Sequence, residues 1–100
     1  MSTEARRGMG FLLRQVQDGE KISLPHARPM PSIGKACHEL RVNDETKTWR
    51  LFYFLDADAI VILEILEKKT QKTTNSTINT CRLRLKNYES AKRQQKKDGR

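Results

Sequence analysis

The stretch that decides the fold is residues 37–66, which read CHELRVNDETKTWRLFYFLDADAIVILEIL. Apolar and polar side chains alternate from His38 to Val42, and this alternation predicts a half-buried strand. A short polar turn leads into Thr48 to Leu55, whose aromatic and bulky side chains predict the returning strand of a hairpin. The nearly all-aliphatic run Ala59 to Leu66 predicts a third strand, central in the sheet and buried on both faces, with Ile62 in the core.

A helix and a long loop are predicted before this meander. From Ser2 to Gln17 the apolar side chains recur at the spacing i, i+3, i+4 and i+7, which is typical of a helix with one apolar face. The next segment, Asp18 to Lys35, contains three prolines and two glycines, and these exclude a long helix. We expect a surface loop there. Its anchors are expected to be Leu24, Met30 and Ile33.

A second helix is predicted after the meander, and Asn75 or Ser76 can cap its start. Its apolar stripe consists of Ile78, Cys81, Leu85 and Tyr88. The order helix, loop, three-stranded antiparallel meander, helix is an α+β arrangement. We therefore expect a single domain over residues 1–90, followed by a basic, flexible tail over residues 91–100.

The charge of the chain points to a polyanionic partner. Its 100 residues carry 20 Lys and Arg against 12 Asp and Glu, a formal net charge of +8. Residues 68–100 alone hold eleven basic and two acidic side chains, and clustered cations of this kind attract phosphate backbones. No apolar run approaches the ~20 residues that a membrane-spanning helix needs, and the first fifteen residues do not resemble a signal peptide. A cytoplasmic protein with no membrane partner is predicted.

Basic side chains are expected to converge at one edge of the sheet. Arg41 lies near the end of the first strand, Arg50 near the start of the second, and Lys68 and Lys69 follow the third. The end of one antiparallel strand lies beside the start of the next, so these cations can meet and stabilise the charge that grows on a phosphate in a transition state. In the alternative interpretation, Glu39 neutralises the arginines and the lysines only solvate a strand end.

Other chemistry is less well supported by the sequence. His38 is a candidate general base, but it shares a face with apolar residues and is expected to be partly buried. Trp49 or Tyr53 can stack an RNA base if either lies on an open face. No metal or other cofactor is predicted, because the soft ligands lack the spacing of a zinc site. These ligands are His26, Cys37, His38 and Cys81, and the two cysteines are expected to be buried thiols.

Three short motifs occur in order along the chain. They are Glu-Leu-Arg at 39–41, an aromatic-Arg-x-x-Tyr strand at 49–53 and Lys-Lys-Thr-x-Lys-Thr at 68–73. Together they resemble the RelE superfamily of bacterial toxins, and most closely its phage-related, HigB-like branch. The resemblance extends from Glu4 to about Tyr88.

The resemblance implies the toxin of a type II toxin–antitoxin system. Such a protein inhibits translation as a ribosome-dependent endonuclease of messenger RNA, cleaves without a metal by attack of the ribose 2′-hydroxyl, and is neutralised by a cognate helix-turn-helix antitoxin. By position, Arg41, Arg50 and Lys69 match the catalytic cations, and Arg50 can present a planar fork to a phosphate. We expect Lys68, Lys72 and Arg82 to bind RNA.

The chain also departs from the family pattern. Family members usually have a strand and part of a helix before the helix that opens this chain, so we expect a three-stranded sheet with an unpaired edge and a possible homodimer. Thr74 stands where a proline is usual, and Glu39 where other RelE branches place a lysine. Two other functions stay open, a gyrase-poisoning toxin of the same superfamily and a non-catalytic RNA-binding module.

Overall fold

Two helices flank a four-stranded antiparallel sheet, and the computed structural model describes residues 2–18, 27–57, 59–69 and 72–99, with side chains to residue 95. The elements are α1 (Thr3–Gln17), β1 (Ala27–Pro29), β2 (Cys37–Asp44), β3 (Lys47–Leu55), β4 (Ile60–Glu67) and α2 (Asn75–Gly99). The strands are ordered β1-β2-β3-β4. The predicted α+β fold class is confirmed. No described helix is long and apolar enough to cross a membrane.

The sheet has four strands, so the prediction of a three-stranded meander is wrong. The additional strand, β1, lies in the segment that we expected to be loop throughout, and it pairs Ala27 with Leu40 and Pro29 with His38. A three-residue strand that ends in proline carries no periodic pattern, which is why the sequence does not reveal it. Met30 and Ile33 are buried as predicted. Leu24 and His26 lie outside the described residues.

Each face of the sheet carries its own hydrophobic core. On one face, the apolar side of α1, with Ala5 and Met9 buried, packs against Leu40 and Leu51. On the other face, Cys81 of α2 and the two loop anchors pack against side chains of β3 and β4. Both predicted amphipathic helices are therefore confirmed, and each covers the face of the sheet opposite the other.

The aliphatic strand β4 is an edge strand, not the central strand we predicted. Among the described residues it pairs only with β3, and Ile62 is 49% exposed. β4 contains a bulge: Phe52 lies opposite Glu64 and the next residue, Tyr53, lies opposite Ile62, so Leu63 has no partner on β3. The extra residue, Leu63, is 1% exposed and belongs to the core beneath α2. An aliphatic run does not by itself distinguish a central strand from an edge.

Thr74, rather than Asn75 or Ser76, caps α2. Its hydroxyl accepts a hydrogen bond from the backbone N–H of Thr77 at 3.2 Å, and its carbonyl accepts one from the backbone N–H of Ile78. The helix continues to Gly99, so residues 91–99 extend α2. The division into a domain and a flexible tail stays a prediction.

Asp56 fastens the middle of α2 to the turn between β3 and β4. Its Oδ2 atom accepts hydrogen bonds from the Tyr88 hydroxyl and from Lys92 Nζ, both at 2.6 Å. The bonds from Lys92 and Tyr88 lower the pKa of Asp56 to about 2. Asp56 lies at the end of the sheet that carries the β3–β4 turn, which we call the turn end. These bonds hold α2 against that end.

We expect Leu63→Ala to lower the free energy of unfolding by about 2–5 kcal/mol, because it leaves a cavity in a packed core. The neighbouring change Ile62→Ala, which truncates an exposed aliphatic side chain, is the matched control and should cost less than about 1 kcal/mol. Urea denaturation of both variants measures the difference. Equal losses would show that the bulge does not divide the strand as described.

We expect Asp56→Asn to destabilise the protein in a pH-dependent way. The folded pKa of Asp56 lies below its unfolded value of 3.8, so its ion pairing stabilises the protein above about pH 4 and is lost as the pH falls towards about 2. The difference in unfolding free energy between variant and parent should therefore be much larger at pH 7 than at pH 2, where part of the folded Asp56 is already protonated. A difference that is the same at both pH values would contradict this assignment.

Candidate nucleic-acid interface

Three arginines from three adjacent strands meet on the carboxylate of Glu39. Arg28 lies directly opposite Glu39 on β1, and Arg41 lies opposite Arg50 on β2 and β3. Glu39 Oε1 accepts hydrogen bonds from Nε of Arg28 at 2.7 Å and from Nε of Arg41 at 3.3 Å, while Oε2 accepts one from Nε of Arg50. We call these four residues the arginine cluster. Three cations share one anion there, so the cluster retains net positive charge.

Glu39 stays ionised although its side chain is completely buried. Burial alone would raise the pKa of the carboxyl, but the hydrogen bond and charge of Arg50, the hydrogen bond of Arg28 and the charge of Arg41 together outweigh it. The pKa of Glu39 is therefore lowered below its usual value. A buried carboxylate that is bonded on both oxygens fixes the directions of the side chains that donate to it.

Arg50 is the buried member of the cluster. Besides Glu39, it donates a hydrogen bond from Nη2 to the hydroxyl of Thr73, and its guanidinium carbon lies 5.2 Å from the centre of the Phe52 ring. Its side chain has almost no exposed surface. The Arg50 guanidinium, expected from the sequence to bind a phosphate, therefore donates its hydrogen bonds to Glu39 and Thr73 instead. A catalytic role for Arg50 stays a prediction, and its burial favours a positioning role.

Arg28 and Arg41 are the accessible members. Their side chains are 35% and 27% exposed, and both donate a hydrogen bond from Nε to Oε1 of Glu39. Among the described residues no other acceptor binds either guanidinium, which leaves their Nη nitrogens able to donate to an anion. Sequence reasoning found Arg41 but missed Arg28. The only signal was a lone cation beside a proline, in a segment with no strand periodicity.

Lys68 lies at the end of the sheet opposite Asp56, which we call the open end, and Lys69 follows it along the chain. Lys68 continues β4 alongside β3, since its backbone N–H donates to the Thr48 carbonyl at 2.7 Å. Lys69 and Lys72 are exposed, and no hydrogen bond between described residues joins Lys69 to the arginine cluster. Arg82 lies on α2, where its Nε donates to the Ser32 carbonyl at 2.7 Å.

A cleft of about 560 Å³ opens between α1 and the open end. It is lined by Gly8, Phe11, Leu12, Arg41, Val42, Asn43, Thr48 and Lys68. We call it the α1 cleft. It brings together two of the predicted site residues, Arg41 and Lys68, and joins them to the arginine cluster through Arg41.

The aromatic and histidine candidates are not placed as expected for a site. His38 stacks on Tyr53 with ring centres 5.4 Å apart, and its buried Nδ1 has no hydrogen-bond partner among the described residues. Tyr53 is buried, and Trp49 is half-buried with its indole N–H donating to Asp44 at 3.2 Å. Neither ring is an open stacking platform. The exposed ring near the cations is instead that of Phe11, which is 62% exposed.

The two cysteines are buried thiols, as predicted. Burial raises the pKa of the Cys37 thiol and raises that of Cys81 to about 11, so neither is a thiolate near neutral pH. Within the described part of the chain, no three His, Cys, Asp or Glu side chains lie close enough together to hold a metal ion.

Comparison with known proteins places this chain in a class of toxin-like proteins. The family model described as phage derived protein Gp49-like (DUF891) matches residues 1–86. The chain belongs to this Gp49-like family, which is a toxin-like family of the RelE superfamily. The expected relationship to RelE toxins is confirmed at that level, and the HigB-like branch stays a prediction. Searches of curated proteins and of solved structures found no match.

We expect Glu39→Ala to lower the free energy of unfolding by about 3–5 kcal/mol, because it leaves buried Arg50 without its counterion. Glu64→Ala is the control, since it breaks a partly exposed pair with Arg84 at 3.1 Å and should cost about 0–1 kcal/mol. Chemical denaturation at neutral pH measures both. Comparable losses would mean that the cluster is not the main electrostatic support of the sheet.

Proposed function

We propose that this protein is the toxin of a type II toxin–antitoxin system and cleaves messenger RNA on the ribosome. The observation that supports this most strongly is the arginine cluster. In it, Arg28 and Arg41 donate from Nε to one oxygen of buried Glu39, and both side chains are partly exposed. Two guanidiniums fixed side by side form an anion site suited to a phosphodiester.

In the proposed reaction the ribose 2′-oxygen attacks the adjacent phosphorus. The bond from that oxygen to phosphorus forms and the bond from phosphorus to the 5′-oxygen breaks. The 2′-hydroxyl gives its proton to water and the leaving 5′-oxygen takes one from water, so the products are a 2′,3′-cyclic phosphate and a 5′-hydroxyl with no net proton change. Charge grows on the non-bridging oxygens in the transition state, where Arg28, Arg41 and Lys69 stabilise it. Lys68, Lys72 and Arg82 bind neighbouring phosphates of the RNA.

The buried carboxylate prepares this site before RNA arrives. Without Glu39, three guanidiniums on neighbouring strands would repel one another and adopt many conformations. Hydrogen bonds to Oε1 hold Arg28 and Arg41 in place, and Arg50, which is also bonded to Thr73, donates to Oε2 and fixes the carboxylate. Donors that are already oriented need no rearrangement at the moment of reaction. In this proposal Arg50 is a positioning residue.

The same cations define the protein partner. We propose that a cognate helix-turn-helix antitoxin covers the open end with acidic side chains and competes there with RNA. Association steered by opposite charges is fast and weakens as salt is added. The antitoxin would thus neutralise the toxin by occupying the cations that otherwise bind messenger RNA.

We expect Arg41→Ala and Arg28→Ala each to lower the rate of messenger-RNA cleavage by about 10²–10³, the usual effect of removing one transition-state donor. Arg93→Ala is the matched control, because it removes the same charge from α2 beside Asp56, at the turn end. Mapping messenger-RNA 5′ ends after induction in bacteria measures cleavage. Cleavage that is unchanged in both cluster variants would overturn the proposed site.

The same induction separates the other two functions. Growth arrest with intact messenger RNA and inhibited supercoiling would select the gyrase-poisoning toxin. Absence of arrest, together with salt-sensitive RNA binding, would select the non-catalytic RNA-binding module.

A further inference from the structure

We propose that the α1 cleft is a base-binding subsite for single-stranded RNA, in which Phe11 stacks on one base. This inference rests on the proposed function, because it assigns the nucleotide next to the phosphate that Arg41 holds. It extends that function by giving the protein a contact with a base as well as with the backbone.

The position of Phe11 is the first argument. The apolar stripe of α1 faces the sheet, with Met9 buried and Leu12 partly buried against the core. Phe11 lies outside this stripe and is 62% exposed at the mouth of the cleft. A large exposed ring does not stabilise the fold, whereas a ring beside a cationic groove is what RNA-binding proteins use to stack bases.

The polar lining is the second argument. The Thr48 hydroxyl donates to Asn43 Oδ1 at 3.1 Å. This bond uses the Thr48 hydroxyl proton and the Asn43 amide oxygen, so the Asn43 NH₂ group and the Thr48 hydroxyl oxygen keep capacity to donate and to accept. A base edge offers both acceptors and donors, so the pair complements it.

Charge and size are the third argument. Arg41 and Lys68 line the cleft, and no carboxylate does. Its volume of about 560 Å³ falls in the range of small-molecule sites, roughly 300–1,000 Å³. An acidic peptide segment would use the two cations alone, whereas one nucleotide uses the cations through its phosphate and the amide, the hydroxyl and the Phe11 ring through its base. These features favour RNA over a protein segment as the occupant.

Gly8 lines the cleft next to Val42. A Cβ atom at this position would lie 3.7 Å from Val42 Cγ1, whereas one at Gly10 would meet nothing within 4 Å. Any side chain longer than alanine at residue 8 therefore extends from the wall of the cleft, and the same side chain at residue 10 extends into solvent. The two glycines of α1 provide a matched pair for blocking the proposed subsite.

The test is binding of a fluorescently labelled five-nucleotide single-stranded RNA to the full chain, followed by anisotropy at several salt concentrations. Phe11→Ala should weaken binding roughly 5- to 150-fold, the range for loss of one stacked base, and Phe11→Trp should retain it. Leu83→Ala, which removes another exposed apolar side chain, should have no effect. Gly8→Leu should weaken binding, and Gly10→Leu should not.

The salt dependence distinguishes stacking from charge. Phe11→Ala should leave the slope of log affinity against log salt unchanged, whereas Lys68→Ala should reduce it by roughly 0.7, the value for one phosphate contact on a single strand. Unchanged affinity in Phe11→Ala, or no binding by the parent protein, would overturn the subsite. So would weaker binding of the antitoxin by Phe11→Ala with RNA binding intact, because the cleft would then be a protein interface.

The failure of this inference can be told from the failure of the proposed function. Cleavage on ribosomes that needs Arg41 but not Phe11, with RNA binding also independent of Phe11, would refute the subsite and leave the endonuclease intact. RNA binding that depends on Phe11, in a protein that cleaves no messenger RNA, would refute the endonuclease and retain the subsite.

Discussion

The buried carboxylate of Glu39 is the interaction on which the sheet and its charged surface both depend. An isolated carboxylate in a protein interior is strongly unfavourable, so it must be compensated by cations that are already in place when the core closes. Those cations come from β1, β2 and β3, and the strand registers bring them to one point. Pairing of the three strands therefore also assembles the cationic site.

This coupling changes what a loss of activity would mean at each arginine. Arg50 is bonded to Glu39 and to Thr73, which lies beyond β4. Replacing it would leave a buried carboxylate with weaker partners and would release the segment that carries the lysines. A loss of activity would then follow from lost structure as readily as from lost chemistry. Arg41 and Arg28 sit at the surface of the same cluster, so their removal tests phosphate binding more directly.

The sequence predicts the elements with clear periodicity and misses what depends on tertiary placement. Both helices and the hairpin are found from spacing alone, but β1 has three residues and no pattern. The aliphatic composition of β4 indicates a strand without indicating its place, and a bulge then divides its side chains between solvent and core. At the site, Arg41 is found through a motif. Arg28 is missed, because only the pairing of β1 with β2 brings it to Glu39.

The two ends of the sheet differ in whether their charged side chains are paired, and this difference bears on where an anion can bind. At the turn end, Asp56 is matched by Lys92 and Tyr88, so that this end contributes to holding α2. Towards the open end, Arg41 shares one oxygen of Glu39 with Arg28, and Lys68 lies in a cleft that has no carboxylate in its lining. Excess cations on neighbouring strands repel one another and do not stabilise the fold. The proposed binding of an anion there, an RNA phosphate or the acidic surface of an antitoxin, would give these cations a role that the fold does not.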